Sequence, residues 1–277
     1  MEKKKMKKIL ALILALVMCV GAFTACGEAK TYDDLTIVDL GLERENFGIA
    51  FRQGSDMTRK VEDITLELVN AGLFETLGAT YEVTGIIEKG DYTPKADPCS
   101  SSNDWAYIQV KGTLVIGITD YKPMDYKDEE GNWVGFDADY ARAVCAKLGV
   151  TPVFKEIEWD YKLMALESKD IDCVWNGMTI TDAIEAAADC TVPYMYNTQV
   201  AVILKDDADK FKSIEDLEGK RIAAEAGSAG EKVIQANDKL AKKYKAVTAQ
   251  TDAILEVMSG SSKAAIVDLT LAKALIK

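Results

Sequence analysis

Histidine is absent from all 277 residues. That absence removes Ser-His-Asp and Cys-His nucleophilic machinery and imidazole zinc sites together. No Gly-rich phosphate loop followed by Lys-Ser or Lys-Thr occurs, so the common nucleotide cradle is also missing. Basic charge is scarce: 33 Lys and Arg stand against 45 Asp and Glu, a formal net charge of −12. Such a chain makes a poor nucleic-acid partner, and its acidity reads first as solubility. Any enzymatic chemistry falls to carboxylates, Lys or Tyr, and no cofactor or metal is implied.

Long apolar runs are missing too, except at the N-terminus, and no second stretch could cross a membrane. There "MEKKKMKK" is a basic region, "ILALILALVMCVGAF" is an apolar run, and "FTAC" ends it with small residues. This segment, residues 1–26, resembles a bacterial lipoprotein signal that is cleaved before Cys26, the residue that then carries the lipid. Thr24, Ala25 and Cys26 fit that pattern, whereas Phe23 departs from the usual Leu-type position. The alternative is an ordinary secretory signal cut near Ala25. Both readings imply export, and the first implies anchoring at the outer face of the cytoplasmic membrane or in the periplasm. Four cysteines remain after Cys19 and Cys26: Cys99, Cys145, Cys173 and Cys190. Their spacing matches no zinc pattern. Export would permit a Cys173–Cys190 disulfide, but buried small apolar side chains are the favoured reading.

What is present is ordinary globular composition, 48% hydrophobic and 28% charged, enough for one large domain or two lobes. A tether at residues 27–33 leads to the strand candidate "LTIVDLG" and to "ENFGIAFRQGSD", where Phe47, Ile49 and Phe51 alternate. A helix opened by a Ser/Asp cap follows, carries Val61, Ile64, Leu68 and Val69, and breaks at Gly72 before a second short helix. Residues 84–103, with two Pro and a Ser run, read as a linker. Thereafter strands and helices alternate: "GTLVIGIT", a turn at Glu130-Gly131-Asn132, the helix "FDADYARAVCAKL" stopped by Gly149, "TPVFKEIEW", "IDCVWNG", "RIAAEAG" and "AAIVD". That alternation argues for an α/β fold with mostly parallel sheets.

The runs "GFDADYARAVCAKLGV", "GMTIT", "SIEDLEGKRIAAEAGSAGE" and "AAIVDLTLAKALI", taken in order, resemble the amino-acid-type solute-binding proteins of ABC importers. The resemblance implies an α/β, two-lobed periplasmic-binding-protein-like fold, hinged around a small amino-acid or amine ligand. It also implies an ABC permease as membrane partner and a monomeric receptor. The family's closing segments match residues 35–83, at the front of this chain, so the order reads as a circular permutation. The implied lobes are 46–83 plus 104–194 and 34–45 plus 197–277.

Carried over motif by motif, Asp268 at the strand end would meet the ligand's ammonium; the alternative is a surface cap for the following helix. Asn176, Gly177, Met178 and Thr179 would offer backbone and hydroxyl contacts. Ser228 would stand at a helix N-terminus suited to a carboxylate. Tyr121 and Trp159 would wall the ligand, with Asp120 beside them. The departures are Ile184 where the family places a carboxylate-binding Arg, Ala229 for a hydroxyl residue, and Met124 for Phe. With Glu225 also facing the cleft, the site reads as net negative and suited to a cationic ligand. A dehydratase-like enzyme using Glu225 as general acid, or a ligand sensor, are the competing functions.

Overall fold

A computed structural model describes residues 29–95 and 101–277, so the signal segment, Cys26 and Cys99 lie outside the described residues. No described helix is long and apolar enough to cross a membrane.

In chain order the strands are β1 (Leu35–Asp39), β2 (Glu45–Arg52), β3 (Thr113–Ile118), β4 (Tyr126–Lys127), β5 (Trp133–Val134), β6 (Thr151–Glu156), β7 (Cys173–Thr179), β8 (Ala188–Cys190), β9 (Met195–Asn197), β10 (Gln199–Leu204), β11 (Ile222–Glu225), β12 (Tyr244–Val247) and β13 (Ala264–Asp268). Apart from the β4–β5 hairpin they form two sheets, one per lobe. The first runs β6-β3-β7-β2-β8, with β9 also pairing β2; the second runs β12-β11-β13-β10-β1.

The two sheets share one plan. In the first, β6, β3 and β7 are mutually parallel, β2 runs antiparallel to β7, and β8 antiparallel to β2. In the second, β12, β11 and β13 are parallel, β10 is antiparallel to β13, and β1 antiparallel to β10. The sheets are therefore mixed rather than mostly parallel, because each admits a strand that crosses from the other lobe against its parallel trio. The crossings are residues 40–44, between β1 and β2, and Thr198, between β9 and β10. They lie side by side, since Glu45 pairs with Asn197 and Asp39 with Val200.

Strands buried on both faces need continuous apolar runs, and β2, β7, β10 and β13 supply them. Helices Met57–Asn70 and Leu73–Tyr81 pack on helix Phe136–Leu148. Phe74, Phe136, Tyr140, Tyr194 and Trp175 meet there largely edge to face, with Tyr140 and Trp175 centroids 4.6 Å apart. Such aromatic pairs add about 0.5–1.5 kcal/mol beyond burial. The front segment thus completes the core of the first lobe.

Two local expectations change. Of the Ser/Asp pair, Ser55 Oγ accepts the Met57 N–H at 3.3 Å, but Asp56 does not cap the helix it precedes; its carboxylate instead accepts the Trp105 N–H at 2.9 Å, at the start of helix Asp104–Lys111. The presumed linker packs down over its described first part: Ile86 bridges Met195, the Ile87 N–H donates to Tyr194 O, and Tyr92 is buried. Glu62 fixes its far end by accepting the N–H groups of Lys95 and Val192. Cys173 and Cys190 form no disulfide: both are free and buried, as is Cys145. Burial pushes the Cys145 and Cys190 thiols up to about 12, which leaves them as inert packing groups.

Candidate functional site

A cleft opens where the C-terminal ends of β3, β7, β11 and β13 face one another, the usual ligand position in open α/β sheets. The first lobe lines it with Thr119, Tyr121, Trp159, Lys162, Asn176, Gly177, Met178, Thr179 and Ile184. The second contributes Glu225, Gly227, Ser228, Ala229, Lys232, Gln250 and Asp268. The lobes are closed on each other, and the enclosed space is about 20 Å³, room for one water. A ligand must part them to enter.

Asp268 ends β13, is 4% exposed, and accepts three side-chain hydrogen bonds. Its Oδ1 accepts from Asn197 Nδ2 at 2.6 Å and Gln199 Nε2 at 2.5 Å, and its Oδ2 from Gln250 Nε2 at 2.5 Å. Asn197 and Gln199 flank the crossing at Thr198, and both also donate to Glu45 Oε2 beside the other crossing. The amide pair thus holds two carboxylates at the hinge. Burial, followed by the charge of Glu45, pushes the Asp268 carboxyl up to about 7, against the opposing pull of those donors. Its side chain caps no N–H of helix Leu269–Leu275, so the capping role is not the one it fills. The Tyr121 hydroxyl is buried close to Asp268 without a completed hydrogen bond.

The strand-end segment is built differently from expectation. Asn176 lines the cleft, but its amide is already committed: Oδ1 accepts from Thr119 N at 3.0 Å and Oγ1 at 2.7 Å, while Nδ2 donates to Thr119 O at 3.2 Å and Asp125 Oδ2 at 2.8 Å. It stitches β7 to the chain after β3. Gly177 has φ +53°, and a Cβ there would lie 2.7 Å from Tyr121 Cε1, so glycine is required. Its N–H donates to Asp137 Oδ2 at 2.7 Å. Asp137 and Asp125 form a buried acid pair under the cleft floor, and burial raises both carboxyls, Asp137 to about 7. Thr179 Oγ1 donates to Glu45 Oε2 at 3.3 Å.

Ser228 N-caps helix Ala229–Gln235, accepting the Glu231 N–H at 3.1 Å, while Glu231 Oε2 accepts the Gly227 N–H at 2.6 Å. This reciprocal cap engages the Ser228 hydroxyl and one N–H of the turn with the chain itself. Glu225, at the end of β11, is 2% exposed; its Oε1 accepts nothing, and burial with Asp268 nearby holds the carboxyl well above the usual range. Trp159 opens a short turn at Trp159–Tyr161 and walls the cleft, as does Ile184. Two expected residues do not line the cleft: Asp120 is exposed, and Met124 is buried in the core of the first lobe.

The expectation of a net-negative site is also corrected, because two lysines that sequence reading passed over converge on the cleft. Lys162, 6% exposed, donates from Nζ to Trp159 O at 3.0 Å and, across the cleft, to Gly227 O at 2.9 Å. Its ammonium lies 4.7 Å from the Trp159 ring centroid, and burial pulls it down to about 8. Lys232 reaches from the second lobe to Thr181 Oγ1 at 3.0 Å. Glu225 and Asp268 are thus balanced by Lys162 and Lys232. Lys162 falls three residues after Trp159, one turn on, and that spacing was the available signal; Gln250 and Lys232 had none. Among the described residues no cluster could hold a metal ion.

Known proteins sharpen this picture. Residues 114–268 match the model of the bacterial extracellular solute-binding proteins, family 3. The L-cystine-binding protein TcyJ of Escherichia coli (strain K12) is 30% identical over 47% of this chain and 49% of its own length. The arginine-binding extracellular protein ArtP of Bacillus subtilis (strain 168) is 30% identical over 65% of this chain and 69% of its own. The chain spans about half the length of most curated relatives it matches. Among solved structures, the arginine-bound form of truncated ArgBP from T. maritima aligns with a TM-score of 0.59 and 34% identity, over 61% of this chain and 79% of that one. The ancestral amino-acid-binding protein AncCDT-1, a precursor of cyclohexadienyl dehydratase, aligns at 0.57 and 36%, over 60% and 74%. With a family match over more than half its length and two lobes of one plan around a cleft, the chain belongs to the bacterial extracellular solute-binding proteins, family 3.

Proposed function

We propose that the protein is an extracytoplasmic receptor that binds a small amino-acid ligand between its lobes and delivers it to an ABC importer. The observation that carries this reading is Asp268, a buried strand-end carboxylate at the hinge. Ionised, it is the natural partner of a ligand ammonium, since a buried charge needs a counter-charge. The names of the relatives support an amino acid as ligand, and their extracellular placement supports export. Anchoring through Cys26 and a monomeric state belong to the same reading. Calorimetry of the purified protein against the common amino acids tests it, together with small-angle scattering for lobe motion. The expected result is saturable binding with a ligand-dependent change in radius of gyration. Absence of binding to every amino acid would overturn it.

A second reading, a dehydratase-like enzyme, is favoured by one observation: burial holds the Glu225 carboxyl well above the usual glutamate range, the direction a general acid needs. Turnover of a bound ligand in the calorimetry sample, followed by mass spectrometry, would select that reading.

The chain order reads as a circular permutation of the family's. In the first lobe β7 leads through helix Asp182–Glu185 to β8; in the second, β1 stands in the place of β8, beside the crossing strand. The shared plan of the two sheets supports the view that β1 is the strand due after helix Leu269–Leu275.

A further inference from the structure

Lys162 and Glu225 bring an ammonium and a carboxyl group into one closed cavity, yet they do not pair. The Lys162 Nζ spends two of its three protons on the carbonyls of Trp159 and Gly227. Glu225 Oε1 is buried and accepts no hydrogen bond, and no Lys162–Glu225 nitrogen–oxygen contact falls within 4.0 Å. Both side chains line the cavity, one from each lobe. An unpaired buried carboxylate and an under-coordinated buried ammonium are each costly, and each would gain from a ligand atom set between them.

We propose that Lys162 and Glu225 form the subsite for the distal end of the ligand, and that this end both accepts and donates hydrogen bonds: a carboxamide, a ureido group or a second zwitterionic head. This rests on the amino-acid receptor reading, with Asp268 taking the α-ammonium. The acceptor of the distal end meets Lys162, and its donor meets Glu225. A purely cationic end satisfies Glu225 but sets its charge against Lys162. It also finds the Trp159 face already covered by the Lys162 ammonium, so the aromatic shelf is taken. An apolar end leaves both charged groups unpaired, the situation in which polar sites discriminate most strongly. Burial is the first cause of both the depressed Lys162 and the raised Glu225 pKa, and the charge of each only partly offsets it for the other.

The test is calorimetry on the purified full chain with L-glutamine, L-citrulline and L-cystine against L-arginine, L-ornithine and L-leucine. At least one of the first three is expected to bind at least about tenfold tighter than all of the last three. In Lys162→Met the preference over L-arginine is expected to shrink at least about tenfold, because the repulsion against the guanidinium goes with the lysine. A merely structural lysine would weaken every ligand alike, and that outcome overturns the proposal. If L-arginine, L-ornithine or L-leucine binds the unmodified protein tightest, the subsite falls while the receptor reading stands. If no amino acid binds, both fall. The unmodified panel decides the matter even where the variant fails to fold.

Discussion

Asp268 accepts three amide hydrogen bonds and Glu225 accepts none, although both are buried carboxylates in one cleft. Their titration separates what each does. Glu225 holds its proton well above the ordinary glutamate range because of burial, then of Asp268. The native state therefore keeps a proton that the unfolded chain has released, so Glu225 costs stability increasingly as pH rises above the unfolded value. Glu225→Gln is expected to melt with the parent protein near pH 4 and above it near pH 8. An unsatisfied buried polar group is worth roughly 1–3 kcal/mol, and each kcal/mol is worth about 2–4 °C in a domain of this size. Scanning calorimetry across that range checks it, and a pH-independent difference would contradict the assignment. Asp268, raised to about 7 by burial and by Glu45, acts on binding. Below that pH the free protein holds a proton that an ammonium ligand must expel. Affinity is expected to fall about tenfold per pH unit below 7, with proton release visible as a dependence of the binding heat on buffer. A flat profile between pH 5 and 8 would exclude Asp268 as the ammonium anchor.

At the scale of elements, the two lobes meet through a glycine. Gly227, φ +72°, sits in the turn before helix Ala229–Gln235, and a Cβ there would lie 2.7 Å from Asp160 Cα in the opposite lobe. Gly227→Ala is both strained, by about 1–2 kcal/mol for left-handed backbone, and a wedge. It is expected to hold the cleft open, which scattering would read as a larger radius of gyration without ligand, and to weaken binding by at least about tenfold. An unchanged radius and affinity would mean that the closed contact is not the one that binding uses. Much of this architecture was legible. Gly149 stops the helix Phe136–Leu148 in a left-handed cap, as its position after the apolar period implies. Gly72 separates two helices, and the apolar runs of β2, β7 and β13 announce buried strands. β12 was not legible, because Tyr-Lys-Ala-Val shows neither alternation nor a full apolar run on a partly exposed edge strand. The antiparallel crossing strands were also hidden, since pairing direction is decided by where the chain returns and not by residue type. In the site, Asp268 could be placed from its strand-end position and Tyr121 from the family resemblance. The committed amide of Asn176 and the arrival of Lys162 and Lys232 depend on which backbones meet in space, and a linear pattern carries no such information.

For the whole molecule, the equal plan of the two sheets turns chain order into a testable quantity. β2 crosses into the first sheet just as β10 crosses into the second, and β1 flanks β10 as β8 flanks β2. The helices that follow β2 pack on helix Phe136–Leu148, so they belong to the first lobe whatever their place in the chain. If order alone was rearranged, it can be rearranged back. The chain is opened between Lys95 and Ser101, and residue 277 is joined to Thr31 through a short Gly-Ser linker. That opening keeps the Arg59 Nη1 bond to Lys95 O and the Ser101 and Ser102 N–H bonds to Gly54 O. It leaves both sheets, Asp268 and both crossings untouched. Loop closure grows only logarithmically with length, about 0.6 kcal/mol per doubling, so the exchange of one connection for another is a small term. The reordered protein is expected to fold cooperatively, to melt within a few degrees of the parent, and to bind the same ligand within about threefold. Loss of cooperative folding or of binding in the reordered chain would show that the front segment is not interchangeable with the family's closing one, and the permutation would fall.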